Sequence, residues 1–200
     1  RRGIYEKYKG KRIKLLHRKA VATKNPIHAG NGGWKQTIRT SVSGSGEEGT
    51  FGHAGENRAE VPATYEMKVM LTLAARKAWK IGAMDIRTAF LHADLDDKDD
   101  GVYIVTPPKL LVRHGFVQEG TVWKLNKVLY GLRAGPKRWS DHRDRVLKEL
   151  KVINGGRSAT IIQMKECKNM WTIMTNDGEI VGRMMIYLDD VLVTGDEDWI

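Results

Sequence analysis

Two adjacent carboxylates, Asp189 and Asp190, interrupt an apolar run that extends from Met184 to Val193. Taking an ionised group out of water costs several kcal/mol unless a counter-charge compensates it, so solvent, a basic partner or a bound cation must meet this pair. The run predicts a strand, an Asp-Asp turn and a second strand, with both carboxylates at the tip of a hairpin. A solvated hairpin turn is the alternative interpretation.

A third carboxylate, Asp85, breaks the apolar run from Lys80 to Ile86, which predicts a short buried strand. Alone, such an acid is usually a cap or a salt-bridge partner. If the strands of Asp85 and of Asp189-Asp190 lie side by side, three like charges meet, and hard divalent cations relieve their repulsion. Two such cations about 4 Å apart stabilise the attacking and leaving oxygens of phosphoryl transfer. The pattern predicts nucleotidyl or phosphoryl chemistry and leaves open whether a phosphodiester is made or cut.

The elements that must position these acids are two helices and several strands. Apolar residues at three- and four-residue steps predict a helix from Thr64 to Trp79 and a second one from Pro136 to Leu150, with Pro136 in its first turn. One face of the second helix is predicted to carry Trp139, Arg143, Val146, Leu147 and Leu150. A short helical turn is predicted at Arg87–Leu91.

Strands are predicted at Val102–Val105, Thr121–Leu125, Ile161–Met164 and Trp171–Met174, with a weaker indication at Ile13–Leu16 and a turn at Asn176-Asp177-Gly178. The order helix, strand, loop, strands, helix, strands predicts an α+β fold with an antiparallel sheet. Residues 29–57 are rich in Gly and Ser and poor in apolar residues, and are predicted to be a loop or disordered. A boundary is expected after residue 58.

Composition limits the class of protein. A chain of 200 residues can bury a sizeable core, and its one cysteine, Cys167, excludes an internal disulfide framework and a multi-cysteine zinc site. No apolar run reaches the roughly 18 residues of a membrane span. These features predict a soluble, intracellular protein.

The net charge of +10 favours a nucleic-acid partner, although its location matters. Residues 1–58 hold 13 Lys and Arg against 4 acids, whereas residues 59–200 are nearly neutral. Within the neutral part, the stretch from Val122 to Lys151 has nine basic residues against three acids. This stretch is the better candidate for a phosphate-contacting surface.

Four blocks in the chain resemble the reverse transcriptase of copia-type LTR retrotransposons. They are Met84 to Leu95, Gly101 to Tyr103 before Pro107, Leu129 to Leu132 with Pro136 and Trp139, and Tyr187 to Asp190. The resemblance covers Ala63 to Gly195 and implies a polymerase palm, an antiparallel sheet backed by helices, with partial fingers and no thumb. It also implies RNA-templated DNA synthesis with two Mg²⁺ ions, which Mn²⁺ can replace. By motif match, Asp85 and Asp189 are the first and second metal-binding acids, and Asp190 is the third.

The same resemblance gives roles to three further residues. Phe90, five residues after Asp85, corresponds to the aromatic side chain that lies under the incoming sugar and excludes a 2′-hydroxyl; a core phenylalanine is the alternative. Tyr130 and Gly131 correspond to the block that lies against the incoming nucleotide and the template, where glycine allows close backbone approach. Residues 17–58 show no match to the family's fingers strands, so the basic residues that hold the triphosphate are not assigned.

The implied partners are an RNA or DNA template-primer, deoxynucleoside triphosphates, and the RNase H and integrase parts of a Pol polyprotein, with no membrane. The implied location is the cytoplasm, in a virus-like particle, or the nucleus. Because no thumb follows Gly195, no processive extension is expected from this chain alone. Two alternatives remain: a non-catalytic remnant that binds nucleic acid through Val122 to Lys151, and a metal-dependent nuclease with the same carboxylates.

Overall fold

The computed structural model describes residues 9, 13–26, 34–43, 62–96 and 101–200. The chain forms two compact units: a first unit of Arg1–His53 and Ala93–Gly135, and a second unit of Ala54–His92 and Pro136–Ile200. Each unit is therefore assembled from two separate stretches of sequence. Within the described residues, no helix has the length and apolar character needed to cross a membrane. The boundary after residue 58 stays a prediction.

Ten strands and three α-helices follow one another in the described part of the chain. In order they are β1 (Ile13–Pro26), β2 (Trp34–Ser43), α1 (Thr64–Arg76), β3 (Lys80–Asp85), a 3₁₀ helix (Ala89–His92), β4 (Val102–Val105), α2 (Lys109–Arg113), β5 (Trp123–Lys124), α3 (Gly135–Glu149), β6 (Lys151–Asn154), β7 (Arg157–Gln163), β8 (Met170–Thr175), β9 (Ile180–Tyr187) and β10 (Asp190–Gly195).

The first unit contains a four-stranded sheet in the order β2-β1-β4-β5. Strand β1 is parallel to β4, and the other two pairings are antiparallel. The predicted strand at Ile13–Leu16 is confirmed and continues to Pro26. The predicted strand at Val102–Val105 is also confirmed, and its side chains are buried. The strand predicted at Thr121–Leu125 is shorter than expected, because only Trp123 and Lys124 pair with β4.

Strand β2 contradicts the expectation of a loop or disorder over residues 29–57. Ten residue pairs join β1 and β2, from His17 opposite Ser43 to Pro26 opposite Trp34. The backbone hydrogen bonds to β1 stabilise this strand although its own side chains are mostly polar, and composition does not reveal such a partner. The remainder of 29–57 lies outside the described residues.

The second unit contains a six-stranded antiparallel sheet in the order β3-β10-β9-β8-β7-β6, which confirms the predicted antiparallel sheet. On one face, Trp171 and Ile186 are at the centre of an apolar cluster against which Leu147 of α3 packs. On the opposite face, Met70 of α1 packs on Met170 and Met185. The sheet thus has a helix on each face.

Three features of this unit differ from the sequence prediction. Helix α1 ends at Arg76 instead of Trp79. Helix α3 lies within one residue of its predicted bounds. However, Val146 and Leu150, which were expected on the buried face of α3, are exposed. Strand β3 was expected to be buried and is mostly exposed, with Ile81 57% and Met84 55% accessible. It is the edge strand of the sheet, so only β10 covers it.

Candidate active site

Asp85 and Asp190 are brought together by strand pairing. Strand β3 ends at Asp85, β10 begins at Asp190, and the antiparallel register places these two residues directly opposite each other. Cross-strand partners point to the same face, with Cβ atoms typically about 4.5–5.5 Å apart. The N–H of Ile86 donates to the carbonyl oxygen of Asp189 at 2.8 Å, so the pairing continues past the strand end.

The turn between β9 and β10 holds the acidic pair at the tip of a hairpin, as predicted. Its two central residues are Leu188 and Asp189, and Asp190 already begins β10, so the turn lies one residue earlier than expected. Leu188 has φ +53°, a backbone conformation that a leucine adopts at a cost of roughly 1–3 kcal/mol. Surrounding contacts must hold this residue in place.

The three acids are accessible to cations. Asp85 and Asp190 are exposed and Asp189 is half-buried. Among the ion pairs of the described residues, none involves these three carboxylates. In the same part of the chain, no group of three or more His, Cys, Asp or Glu side chains is close enough to hold a metal ion as the side chains stand. The strand register therefore pairs Asp85 with Asp190. The metal-binding roles of all three acids stay predictions.

A groove of about 640 Å³ in the second unit reaches Asp85 and Asp190. The start of α1 forms one wall and the strands β3, β9 and β10 form the rest, with a mainly apolar lining. The lining residues include Ala63, Met67, Ala83, Met185, Tyr187 and Leu192. The N–H of Ala63 donates to the Glu66 carboxylate at 2.8 Å, which fixes the first turn of α1 against the groove.

Several sulfur-containing side chains pack together next to this groove, and one of them, Met185, is part of its lining. Cys167 and Met164 pack beside the buried cluster of Met70, Met170 and Met185. Burial raises the pKa of the Cys167 thiol above its usual value, and a hydrogen bond with Glu66 raises it further. The thiol is therefore protonated at neutral pH and weakly nucleophilic.

Phe90 lies on the 3₁₀ helix Ala89–His92, close to the helical turn predicted at Arg87–Leu91. Thr88, with φ +53°, precedes this helix, and Ala89 is fully buried at its start. Phe90 itself is half-buried. The structure places Phe90 on the segment that follows Asp85, and its role at a sugar stays a prediction.

Tyr130 and Gly131 belong to the first unit and are the central residues of a tight turn. The N–H of Leu132 donates to the carbonyl oxygen of Leu129 at 3.1 Å, and Gly131 has φ +96°. A positive φ at this position of a β-turn is the usual reason for a glycine. Tyr130 is 37% exposed. The glycine is therefore explained by the turn itself, and its predicted approach to nucleic acid stays untested.

The basic charge of α3 is partly neutralised within the helix. Lys137 pairs with Asp141, Arg143 with Asp144, and Arg145 with Glu149. Arg143 is only 5% exposed, and Gln163 donates to the other oxygen of Asp144. Arg143 therefore serves packing, and a phosphate-contacting role of this helix depends on its exposed Lys and Arg side chains.

Trp139 is the residue whose position sequence reasoning missed. It was predicted only as part of the apolar face of α3 and of a matching block. Its indole N–H donates to the carbonyl oxygen of Leu188 at 2.9 Å, and its ring is almost fully buried. No sequence signal announces an acceptor on the backbone, although a buried tryptophan usually has one.

Comparison with known proteins assigns the chain to a family. The family model described as "Reverse transcriptase (RNA-dependent DNA polymerase)" matches residues 50–200, a range that includes every site residue named above. The chain belongs to the reverse transcriptase family. The predicted resemblance to copia-type retrotransposon enzymes is confirmed.

Among the similar curated proteins are retrotransposon polyproteins of two plants. The chain is 26% identical over 145 residues to the "Retrovirus-related Pol polyprotein from transposon RE1" of Arabidopsis thaliana, covering 71% of the chain and 8% of that protein. The polyprotein of transposon TNT 1-94 from Nicotiana tabacum is 28% identical over 132 residues, covering 64% of the chain and 8% of that protein. The chain spans less than a tenth of the length of these relatives. No solved structure matches it significantly.

Proposed function

We propose that this chain carries the nucleotidyl-transfer centre of a retrotransposon Pol polyprotein and copies an RNA template into DNA. The observation that carries the proposal is the register that sets Asp85 opposite Asp190 at the end of the palm-like sheet, inside the region that matches the family. The family generally uses divalent metal ions. The chemistry of the site agrees with that requirement.

The donor set fits a hard cation. Carboxylate oxygens are the ligands that Mg²⁺ and Mn²⁺ prefer, and these acids have no basic partner among the described residues. Asp85 and Asp190 would hold the metal from neighbouring strands, with Asp189 supplying a further carboxylate from the turn. Two bound ions would stabilise the attacking and leaving oxygens of nucleotidyl transfer.

The residues of the chain itself then bind and orient the substrates. Phe90 limits the space for the sugar of the incoming nucleotide, and the exposed turn at Tyr130-Gly131 contacts nucleotide or template. Exposed Lys and Arg side chains of α3 contact phosphates. The second unit serves as the palm, and the first unit contributes to the fingers.

The partners of this centre are a template-primer duplex and deoxynucleoside triphosphates. The similar proteins are Pol polyproteins, and this supports the proposal that RNase H and integrase domains belong to the same polypeptide. With these partners, the protein would act in the cytoplasm or the nucleus.

Single-nucleotide incorporation tests the function. The 200-residue chain is mixed with an RNA template, a labelled DNA primer, Mg²⁺ and one complementary deoxynucleotide, because one addition does not require processivity. Extension of the primer by one nucleotide is expected. Cleavage of the labelled strand would identify a nuclease instead, and duplex binding without Mn²⁺ binding would identify a non-catalytic remnant.

Asp189→Asn is expected to weaken Mn²⁺ binding about tenfold or more, because it removes a charged oxygen ligand. The free energy of unfolding without metal should change little, since the substitution also removes repulsion among the acids. Calorimetric titration and paramagnetic NMR measure the affinity. Equal Mn²⁺ affinity of variant and parent would refute the metal site.

Phe90→Val is expected to relax discrimination against ribonucleotides by about 10- to 100-fold, because a smaller side chain leaves room for the 2′-hydroxyl. The measurement is the ratio of kcat/KM for a deoxynucleotide to that for the matching ribonucleotide. Leu91→Val, on the same 3₁₀ helix and exposed, is the control and should keep the parent ratio. Retained activity with an unchanged ratio in Phe90→Val would assign Phe90 to the core.

A further inference from the structure

One side chain of α3 contacts the backbone of the acidic turn. The indole N–H of Trp139 donates to the carbonyl oxygen of Leu188 at 2.9 Å, across 49 positions of sequence. Trp139 is 3% exposed, so the donor side of this hydrogen bond is shielded from water. The contact is a fixed link between the helix and the turn.

The acceptor is the strained residue of that turn. Leu188 has φ +53° and immediately precedes Asp189 and Asp190. A bulky residue keeps such a conformation only where neighbouring groups hold it. Without the hydrogen bond to Trp139, the turn can relax toward a more common conformation, and the direction of both carboxylates changes with it.

The same indole ring also contacts the segment that follows Asp85. The ring of His92 lies 6.1 Å from the ring of Trp139, and the ring of His142 stacks on Trp139 at 5.9 Å with an interplanar angle of 28°. His92 ends the 3₁₀ helix that carries Phe90, and its Nε2 is 3.1 Å from the carbonyl oxygen of Arg87. One buried ring therefore touches both segments that adjoin the acids.

We propose that Trp139 is a positioning residue that holds the Leu188 turn, and with it Asp189 and Asp190, in register with Asp85. In this proposal Trp139 acts through its hydrogen bond to Leu188 and does not itself bind metal or substrate. That these carboxylates bind a divalent metal rests on the proposed function. Side chains that fix ligand-bearing segments commonly change metal affinity by 10- to 100-fold when they are altered.

Two replacements in the 200-residue chain remove the donor. Trp139→Phe keeps an aromatic ring without the N–H, and benzothienylalanine at position 139 keeps the shape of the indole with sulfur in place of the N–H. Both are expected to raise the Kd for Mn²⁺ about 5- to 20-fold and to speed hydrogen exchange at the Asp189 and Asp190 amides. For nucleotide incorporation, kcat should fall while KM for the template-primer stays within twofold.

Trp171 provides a matched control on the same sheet. It is fully buried, and its indole N–H has no hydrogen-bond acceptor among the described residues. Trp171→Phe is expected to lower the melting temperature through lost packing and to leave the Kd for Mn²⁺ within twofold. The benzothienylalanine replacement at position 171 should change neither quantity.

The outcomes separate this inference from the proposed function. If Asp189→Asn weakens Mn²⁺ binding but neither replacement of Trp139 does, the positioning role is wrong and the metal site stands. If Trp139 and Trp171 replacements weaken Mn²⁺ binding equally, Trp139 acts through general packing, and the inference is also overturned. If Asp189→Asn has no effect, the failure lies in the proposed function.

Discussion

Asp85→Asn is expected to reduce single-nucleotide incorporation by roughly 10²–10³-fold or more, the loss usually seen when one group that stabilises transition-state charge is removed. Asp85 and Asp190 are cross-strand partners, and neither carboxylate has an ion-pair partner in the described chain. The substitution leaves Asp190 with a neutral neighbour in place of a second anionic ligand. Rapid-quench measurement of primer extension at saturating Mg²⁺ gives the rate.

The stability of the same variant should move in the opposite direction. Like charges directly opposite each other in a sheet are destabilising, so Asp85→Asn should unfold at the same urea concentration as the parent or at a slightly higher one. Mn²⁺ should raise the melting temperature of the parent and have a much smaller effect on the variant, because only the native parent binds it tightly.

Asp177 is the control for this experiment. It lies in the β8–β9 turn, whereas Asp189 lies in the β9–β10 turn at the other end of β9 and Asp190 begins β10. A hydrogen bond with Thr175 lowers the pKa of the Asp177 carboxyl. Because Asp177 lies at the opposite end of β9 from the acidic pair, Asp177→Asn should keep the parent activity. Equal activity of Asp85→Asn and the parent, with Mn²⁺ stabilisation intact, would show that Asp85 does not serve the reaction.

The hairpin of the acidic turn could be predicted from sequence because β9 and β10 are apolar on both sides of it. Helix α3 was predictable to within one residue because proline is tolerated only in the first turn of a helix. The pairing of Asp85 with Asp190 could only be hypothesised. Those strands are far apart in the chain, and the register that sets one acid opposite the other depends on long-range pairing that no local pattern specifies.

The missed elements have a common physical cause. Strand β2 is polar, and its pairing with β1 overrides the composition of residues 34–43. Strand β3 is apolar but exposed, because its place at the edge of the sheet leaves one side uncovered. The acceptor of the Trp139 hydrogen bond is the backbone carbonyl of Leu188. Because every residue has such a carbonyl, the residue type does not reveal which one accepts. Tertiary neighbours decide each of these features.

Trp171→Ala is expected to destabilise the second unit by about 3–5 kcal/mol, the usual cost of truncating a buried aromatic residue to alanine. Trp171 is fully buried at the centre of the apolar cluster, where β8 pairs it with Gln163 on β7 and with Met184 on β9. Because domains are typically stable by only about 5–15 kcal/mol, this loss leaves a marginal fold. Urea unfolding followed by circular dichroism measures the change.

Two further variants serve as references for the loss of stability in Trp171→Ala. Trp171→Phe keeps most of the buried ring and removes an indole N–H that has no acceptor among the described residues, so part of the lost packing is offset and the cost should stay below about 2 kcal/mol. Ile153→Ala, on β6 of the same sheet and 72% exposed, should cost less than about 0.5 kcal/mol. If Trp171→Ala unfolds at the same urea concentration as Ile153→Ala, the cluster around Trp171 is not the core that holds the six strands, and the platform beneath Asp85 and Asp190 needs another source of rigidity.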